Sequence, residues 1–282
     1  MRDVPPTVLS GPRAGPIGVF DSGLGGLTVA QSILRALPAE QLIYVGDQAH
    51  VPYGDRADAE ILAFSEGISD WLLGQGAKAL VIACNTASAA ALKPLRVRLP
   101  QVPIVGMEPA VKPAVEHTRT GVVGVIATVA TMQGAVFASI VERFAQGVEV
   151  LQQACPGLVR QIEAGELDTP RTEAMLRGWL EPMVARGIDA LVLGCTHYPL
   201  VRPLIERIVG PEVRVIDPAP AIARRLAQVL EERGIAAQGG DGGITVHTTG
   251  DAVVLRTMLQ RFGMGPWPTH ALHWEAGRLS PR

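Results

Sequence analysis

The sequence predicts an α/β protein made of two similar parallel-sheet halves. Three observations carry that expectation. Short apolar runs free of charge alternate with longer amphipathic stretches, the pattern of buried parallel strands alternating with covering helices. The 31 glycines and 22 prolines follow no collagen period and suit many short elements joined by tight turns. Three landmarks also recur in one order in the two halves of the chain, as an internal repeat would place them.

Taken in order, residues 1–16 read as a flexible, Pro/Gly-rich N-terminal tail. Ile17–Phe20 is the first buried strand and Thr28–Ala36 the amphipathic helix after it. Leu42–Val45 is the next strand, followed by a long helix over Asp58–Gln75. Ala79–Ala83 and Ile104–Gly106 are further buried strands. Val122–Ala127, Val148–Leu151, Ala190–Leu193 and Val213–Ile216 continue the series, with Thr172–Arg186 and Ala219–Glu232 as helices. Gly121–Val141 carries no charge and is long enough to span a bilayer. Its glycines, Thr128, Thr131 and Gln133 favour instead a strand, a turn and a helix start. Near the C-terminus, Trp267, His270, His273 and Trp274 cluster without ligand spacing and read as packing or tail.

Composition excludes several functions. With 25 Lys+Arg against 27 Asp+Glu the net charge is −2, which argues against a nucleic-acid binder. Hydrophobic residues at 48% and charged residues at 18% permit a large core and argue against disorder. Cys84, Cys155 and Cys195 are too few and too scattered for a disulfide framework. No CxxC pair supports structural zinc. The N-terminus lacks the apolar segment of a signal peptide. A cytoplasmic protein with reduced thiols is expected, partnered by neither nucleic acid nor membrane. An exposed apolar helix face would allow a homodimer.

The internal echo has a chemical consequence. GVFDS at Gly18–Ser22 resembles GVIAT at Gly124–Thr128, LVIACNT at Leu80–Thr86 resembles LVLGCTH at Leu191–His197, and Val105–Pro109 resembles Val215–Pro218. Gly18 and Cys84 lie 66 positions apart, Gly124 and Cys195 71. Each half thus sets a cysteine at the C-terminal end of a strand, where open parallel sheets bind ligands. A helix start there offers free N–H groups and a partial positive charge, which lower a thiol pKa from about 8.5. If the halves face each other across a cleft, Cys84 and Cys195 flank one ligand. Two opposed bases suit inversion of a stereocentre: one thiolate removes the Cα proton and the other thiol protonates the opposite face. The carbanion needs preorganised donors in a site closed to water. Ser22, Asn85, Thr86 and Thr196 are of the right type, and Asp21 and His197 are placed to tune the thiols.

Each feature also has a plainer reading. Cys155, in CPG after strand-like VEVLQQA, reads as a small buried hydrophobe. Asp21-Ser22 could be a turn and helix cap, His197 a structural histidine, and Tyr53-Gly54 a surface turn. SGLGG at Ser22–Gly26 lacks both GxGxxG and GK[ST], so a phosphate loop is not expected. Outside racemisation stand a two-lobed amino-acid-binding protein and a dithiol redox enzyme. The flanking thiols oppose the first, and a substrate-sized gap between them opposes the second.

GVFDSGLGGLTV (18–29), GDQAHVPYG (46–54), IACNTASA (82–89), GMEPA (106–110), LGCTHYPL (193–200) and TTGD (248–251) resemble glutamate racemases, in that family's order. Paired cysteines are shared by the wider aspartate/glutamate racemase superfamily; the CNTASA and GCTHYPL forms favour the glutamate member. The resemblance implies an isomerase that interconverts L- and D-glutamate without a cofactor or metal and supplies D-glutamate for bacterial peptidoglycan. It implies two pseudo-symmetric α/β domains with the active site in the cleft between them. Residues 17–112 plus 222–282 would form the first, with Asp21 and Cys84, and 113–221 the second, with Cys195 and His197. By motif match, Cys84 and Cys195 are the acid/base thiols, assisted by Asp21 and His197. Asp21-Ser22, Tyr53-Gly54, Asn85-Thr86 and Thr196-His197 would contact the substrate. Glu163, in LVRQIEAGEL (158–167), matches an assisting glutamate. Gln48 and His50 depart from the family's usual Thr and Arg. Aspartate or another amino acid is the alternative substrate, because pocket size decides it.

Overall fold

The computed structural model describes residues 15–282, so the expected N-terminal tail falls, up to residue 14, outside the described residues. The strands are β1 (Ile17–Asp21), β2 (Gln41–Gly46), β3 (Ala79–Ile82), β4 (Ile104–Gly106), β5 (Val122–Ala127), β6 (Glu149–Ala154), β7 (Ala190–Gly194), β8 (Arg214–Ile216), β9 (Gly243–Thr248), β10 (Thr269–Glu275) and β11 (Arg278–Pro281). They form a seven-stranded sheet ordered β11-β10-β9-β2-β1-β3-β4 and a four-stranded sheet ordered β6-β5-β7-β8. The echo in the sequence is therefore a repeat of topology. In each half the first strand lies between the second and the third, with the fourth outside the third. Register agrees as well: Gly18 pairs with Leu80, and its counterpart Gly124 with Leu191.

Parallel pairing runs through both sheets except at the C-terminal hairpin of β10 and β11. β1, β3 and β7 are buried along their whole length and, apart from Asp21 at the end of β1, uncharged, as covered central strands must be. The strand expected to be buried at Val148–Leu151 is instead the half-buried edge strand β6, because only β5 pairs with it. Gly121–Val141 folds as β5, a short helix at Val129–Gln133 and most of a helix at Ala135–Phe144. Among the described residues no helix is long and apolar enough to cross a membrane.

The segment after Ile235 extends the first sheet, and the stretch holding Trp267, His270, His273 and Trp274, read as packing or tail, supplies its strand β10. In β9, Ile244, Val246 and Thr248 are buried and alternate with half-buried residues. That period of two, interrupted by Thr and His, lies beside β2 and carries β10 on its other edge.

Helix faces follow the 3.6-residue period. Leu27, Val29, Ala30 and Ile33 of the helix Leu27–Ala36 are buried where it packs on the helix Ala219–Glu232, whose Ile222, Ala223, Leu226 and Leu230 are buried in turn. Each fully buried Leu or Ile contributes roughly 1.5–3 kcal/mol. A buried ion pair also ties the first half together: Lys78 Nζ lies 2.7 Å from Glu40 Oε2, and the Ala237 N–H donates to the other oxygen. The consequence for function is positional. β1, β3, β5 and β7 all end toward one gap between the sheets, and the loops leaving them line it.

Candidate active site

Cys84 and Cys195 line the same narrow cavity, whose volume of about 10 Å³ has room for about one water. Ser22, Tyr53, Gly54, Asn85, Thr86, Thr196 and His197 line it with them, as do Pro52, Thr128 and Val159. Asp21 and Glu163 stand one layer behind that wall. The structure thus gathers the residues singled out from sequence around one gap.

Cys84 caps the helix Asn85–Arg98: its Sγ accepts the Ala87 N–H at 3.4 Å. Its thiol faces Ser22 Oγ at 4.0 Å, and Ser22 Oγ donates in turn to Asp21 Oδ1 at 3.5 Å. Asp21 is fully buried; its Oδ2 accepts from the Gly26 N–H at 2.6 Å and from Thr196 Oγ1, of the other half, at 3.3 Å. Burial pushes the Asp21 carboxyl above its ordinary range, only partly offset by the His197 charge and these donors. The expectation of a lowered thiol pKa fails at Cys84. Burial pushes it well up, the Asp21 carboxylate pushes it further, and the helix-start N–H of Ala87 does not compensate. Cys84 rests as the thiol.

The Cys195 side is built differently. Cys195 Sγ lies 3.8 Å from His197 Nδ1, and His197 Nε2 lies 2.6 Å from Glu163 Oε1. Glu163 Oε1 also accepts the Leu24 N–H at 2.8 Å, and Oε2 accepts Gln48 Nε2 at 3.1 Å. Burial alone would raise the Glu163 carboxyl, but the His197 hydrogen bond and charge, with Leu24 and Gln48, hold it below its usual range. Burial would lower His197, but Cys195 and Glu163 hold it well above its ordinary value. His197 is thus an imidazolium at neutral pH, donating from both nitrogens. The glycines of SGLGG now have a reason. A Cβ on Gly25 would stand 2.5 Å from His197 Nδ1 and 2.7 Å from its backbone nitrogen, so only glycine lets the loop lie against that ring.

Tyr53 is not on a surface turn. It is fully buried, and its hydroxyl donates to Asp47 Oδ2 at 2.7 Å. Asp47 also accepts from Thr249 Oγ1 and Trp274 Nε1, both at 2.8 Å, and faces His50 Nδ1 at 2.9 Å. Trp274, read from sequence as packing or tail, therefore holds the support of a cavity-lining residue. Asn85 is buried with both amide atoms unpaired, so its hydrogen-bonding capacity is directed to the cavity it lines. Thr86 Oγ1 joins Thr128 Oγ1 at 3.0 Å and Thr131 Oγ1 at 3.2 Å, across the two halves.

With this geometry in hand, the comparisons with known proteins are decisive. The Asp/Glu/Hydantoin racemase family matches residues 17–226. The glutamate racemase of Roseiflexus sp. (strain RS-1) is 49% identical over 258 residues, covering 91% of this chain and 95% of that one. The chain belongs to the glutamate racemases. Like them it is an isomerase, with two α/β sheets in pseudo-symmetric arrangement. Glutamate racemase isoform RacE1 from Bacillus anthracis superposes with a TM-score of 0.86 at 34% identity, covering 94% of this chain and 99% of that one. Glutamate racemase from Francisella tularensis, solved with D-glutamate, gives 0.81 at 31% identity, covering 93% and 98%.

Within this glutamate racemase family member, the third thiol stands apart. Cys155 is buried beside the cavity without lining it, and burial pushes its thiol up, in keeping with its reading as a small hydrophobe. Sequence reasoning missed Thr128, although the echo pairs it with Ser22. It also missed Gln48, Asp47, Thr249 and Trp274 as supporting groups. Their signal is spatial, since residues some 200 positions apart meet only after β9 docks on β2.

Proposed function

We propose that this chain interconverts L- and D-glutamate without a cofactor, moving the Cα proton between Cys84 and Cys195. The observation that carries the reading is that the two thiols reach one narrow cavity from equivalent places in the two halves. One thiolate takes the Cα proton, leaving a carbanion, and the opposite thiol delivers its own proton to the other face. The first cysteine ends as thiol and the second as thiolate, so the reverse reaction starts from the product of the forward one.

Each thiol has its own proton partner. Cys84 reaches Asp21 through Ser22, and the raised affinity of Asp21 for a proton suits it to receive one when Cys84 must act as base. Cys195 faces the His197 imidazolium, backed by Glu163, and that pair is its proton partner. The unpaired Asn85 amide, the Thr86 and Thr196 hydroxyls and the Tyr53-Gly54 loop are the contacts for the substrate's carboxylates and ammonium. The D-glutamate held by the Francisella tularensis relative supports glutamate over aspartate. D-Glutamate for peptidoglycan is the product's proposed use. The cavity is far smaller than a glutamate, so the halves must part to admit it. We take those halves as 17–112 plus 222–282 and 113–221, a division that agrees with the sheet each strand joins.

The test is incubation with L-glutamate in deuterated buffer without added cofactor, following chirality and Cα deuteration together. D-Glutamate with deuterium at Cα is expected. Cys84→Ser and Cys195→Ser should each abolish racemisation in both directions, while Cys155→Ala should retain it. Substantial turnover in either serine variant would overturn the two-thiol assignment.

A further inference from the structure

We propose that Gln48, oriented by Thr248, is a positioning residue for the Glu163–His197 pair and so governs the step in which Cys195 exchanges the Cα proton. The inference rests on the two-thiol reading above.

The orientation follows from donors and acceptors alone. The Gly250 N–H donates to Thr248 Oγ1 at 2.9 Å. The hydroxyl proton of Thr248 is then directed at Gln48 Oε1, 2.5 Å away. With its carbonyl oxygen so engaged, the Gln48 amide presents its NH₂ to Glu163 Oε2 at 3.1 Å. The result is a one-way string of hydrogen bonds from the end of β9, through the loop after β2, to the helix Leu158–Glu163 of the other half. Gln48, the Leu24 N–H and His197 surround Glu163 with donors only. A carboxylate satisfies all three, whereas a protonated carboxyl would turn its own hydrogen toward a donor. Thr248 is completely buried, so the string is anchored where water does not compete.

The other charged or titratable groups near Glu163 and His197 are Asp21, Tyr44, Cys84 and Cys195. None takes the place of Gln48 on Oε2. By hydrogen bonds the string reaches the Cys195 side; the Cys84 side feels it only through the His197 charge on Asp21. Cys84 relies on Ser22 and Asp21, from a different strand end. Removing the Gln48 donor should therefore raise the barrier of the Cys195 step more than that of the Cys84 step.

Enantiomers have equal free energy, so kcat/KM must fall equally in the two directions whichever step is slowed. The asymmetry appears in the primary isotope effect instead. In Gln48→Leu, Cα-deuterated substrate should show an increased effect in the direction where Cys195 removes the deuteron and a diminished effect in the other. kcat/KM should drop about tenfold or more, the scale of one hydrogen bond to a charged group. Asp21→Asn, acting on the Cys84 side, should tilt the two isotope effects the opposite way. Thr248→Val, which orients Gln48 without reaching the cavity, should reproduce the Gln48→Leu tilt in milder form. Circular dichroism on each variant separates misfolding from this effect. An unchanged ratio of isotope effects in both folded Gln48→Leu and Thr248→Val, or a tilt in the same direction as Asp21→Asn, overturns the proposal. Retained turnover in Cys195→Ser would instead overturn the reading beneath it, so the two failures are distinguishable.

Discussion

Glu163→Gln should destabilise the protein most in mildly acidic solution and less as the pH rises. His197 and Glu163 form a buried pair 2.6 Å apart, with side-chain exposures of 2% and 12%. The folded-state pKa of His197 is raised above its ordinary 6.5, so its contribution is full below that value and is lost as pH rises through the folded value. That of Glu163 is depressed below 4.5, so its contribution is full above that value and is lost as pH falls through the folded value. Both are complete between about pH 4.5 and 6.5. Within that window, removing one partner of such a pair costs about 3–5 kcal/mol. In the variant, His197 keeps its burial but loses the carboxylate that offset it, so its affinity for a proton falls. The variant then loses less stability with rising pH than the wild type does. Urea unfolding at pH 5.5, 7 and 8.5 measures the difference. With a slope of about 3 kcal/mol/M, the midpoint should fall by about 1 M at pH 5.5 and by less at pH 8.5. A midpoint shift that is constant across the series would refute the charged-pair assignment and with it the imidazolium beside Cys195.

Three further outcomes follow from particular contacts. Gly25→Ala places a Cβ 2.5 Å from His197 Nδ1 and 2.7 Å from its backbone nitrogen, and a backbone atom cannot swing away. Turnover should fall roughly a hundredfold in folded protein, the cost of about 1 Å of misplacement, and near-normal kcat/KM would refute the packing of that loop on His197. Trp274→Phe keeps an aromatic ring near Phe64 and His50 but removes one donor from buried Asp47. Stability should drop by about 1.5–3 kcal/mol in chemical denaturation and KM should rise as Tyr53 loosens; unchanged values for both would sink the proposed support. Lys78→Met leaves Glu40 buried without that cation and should cost about 3–5 kcal/mol, with part recovered in Glu40→Leu/Lys78→Met. A single variant as stable as the wild type would show that the pair contributes nothing.

Much of the site is legible in the chain because its residues are local to strand ends. Cys84-Asn85-Thr86 and Cys195-Thr196-His197 each follow a buried apolar run directly, and an apolar run that stops at small polar residues marks where a parallel strand meets a ligand. The same rule in the other two equivalent strands gives Asp21-Ser22 and Thr128, though Thr128 follows only when the role of Ser22 is carried across the echo. β9–β11 are less legible. Their runs mix Thr, His and Trp with apolar residues, and β9, on which β10 and β11 build, pairs with β2 some 200 positions away.

Periodicity, the internal repeat and the motif order by themselves determine the α/β class, the two equivalent cysteines and the family, because each depends on residue type and near-neighbour spacing. Protonation and support are decided only by the tertiary structure. Cys84 and Cys195 sit in equivalent sequence positions, yet one faces the Asp21 carboxylate and the other the His197 imidazolium, with Gln48 and Glu163 arriving from separate halves. The state of a buried group is set by the balance between its desolvation and every charge within a few ångströms. That balance comes into being only when distant segments are packed around it.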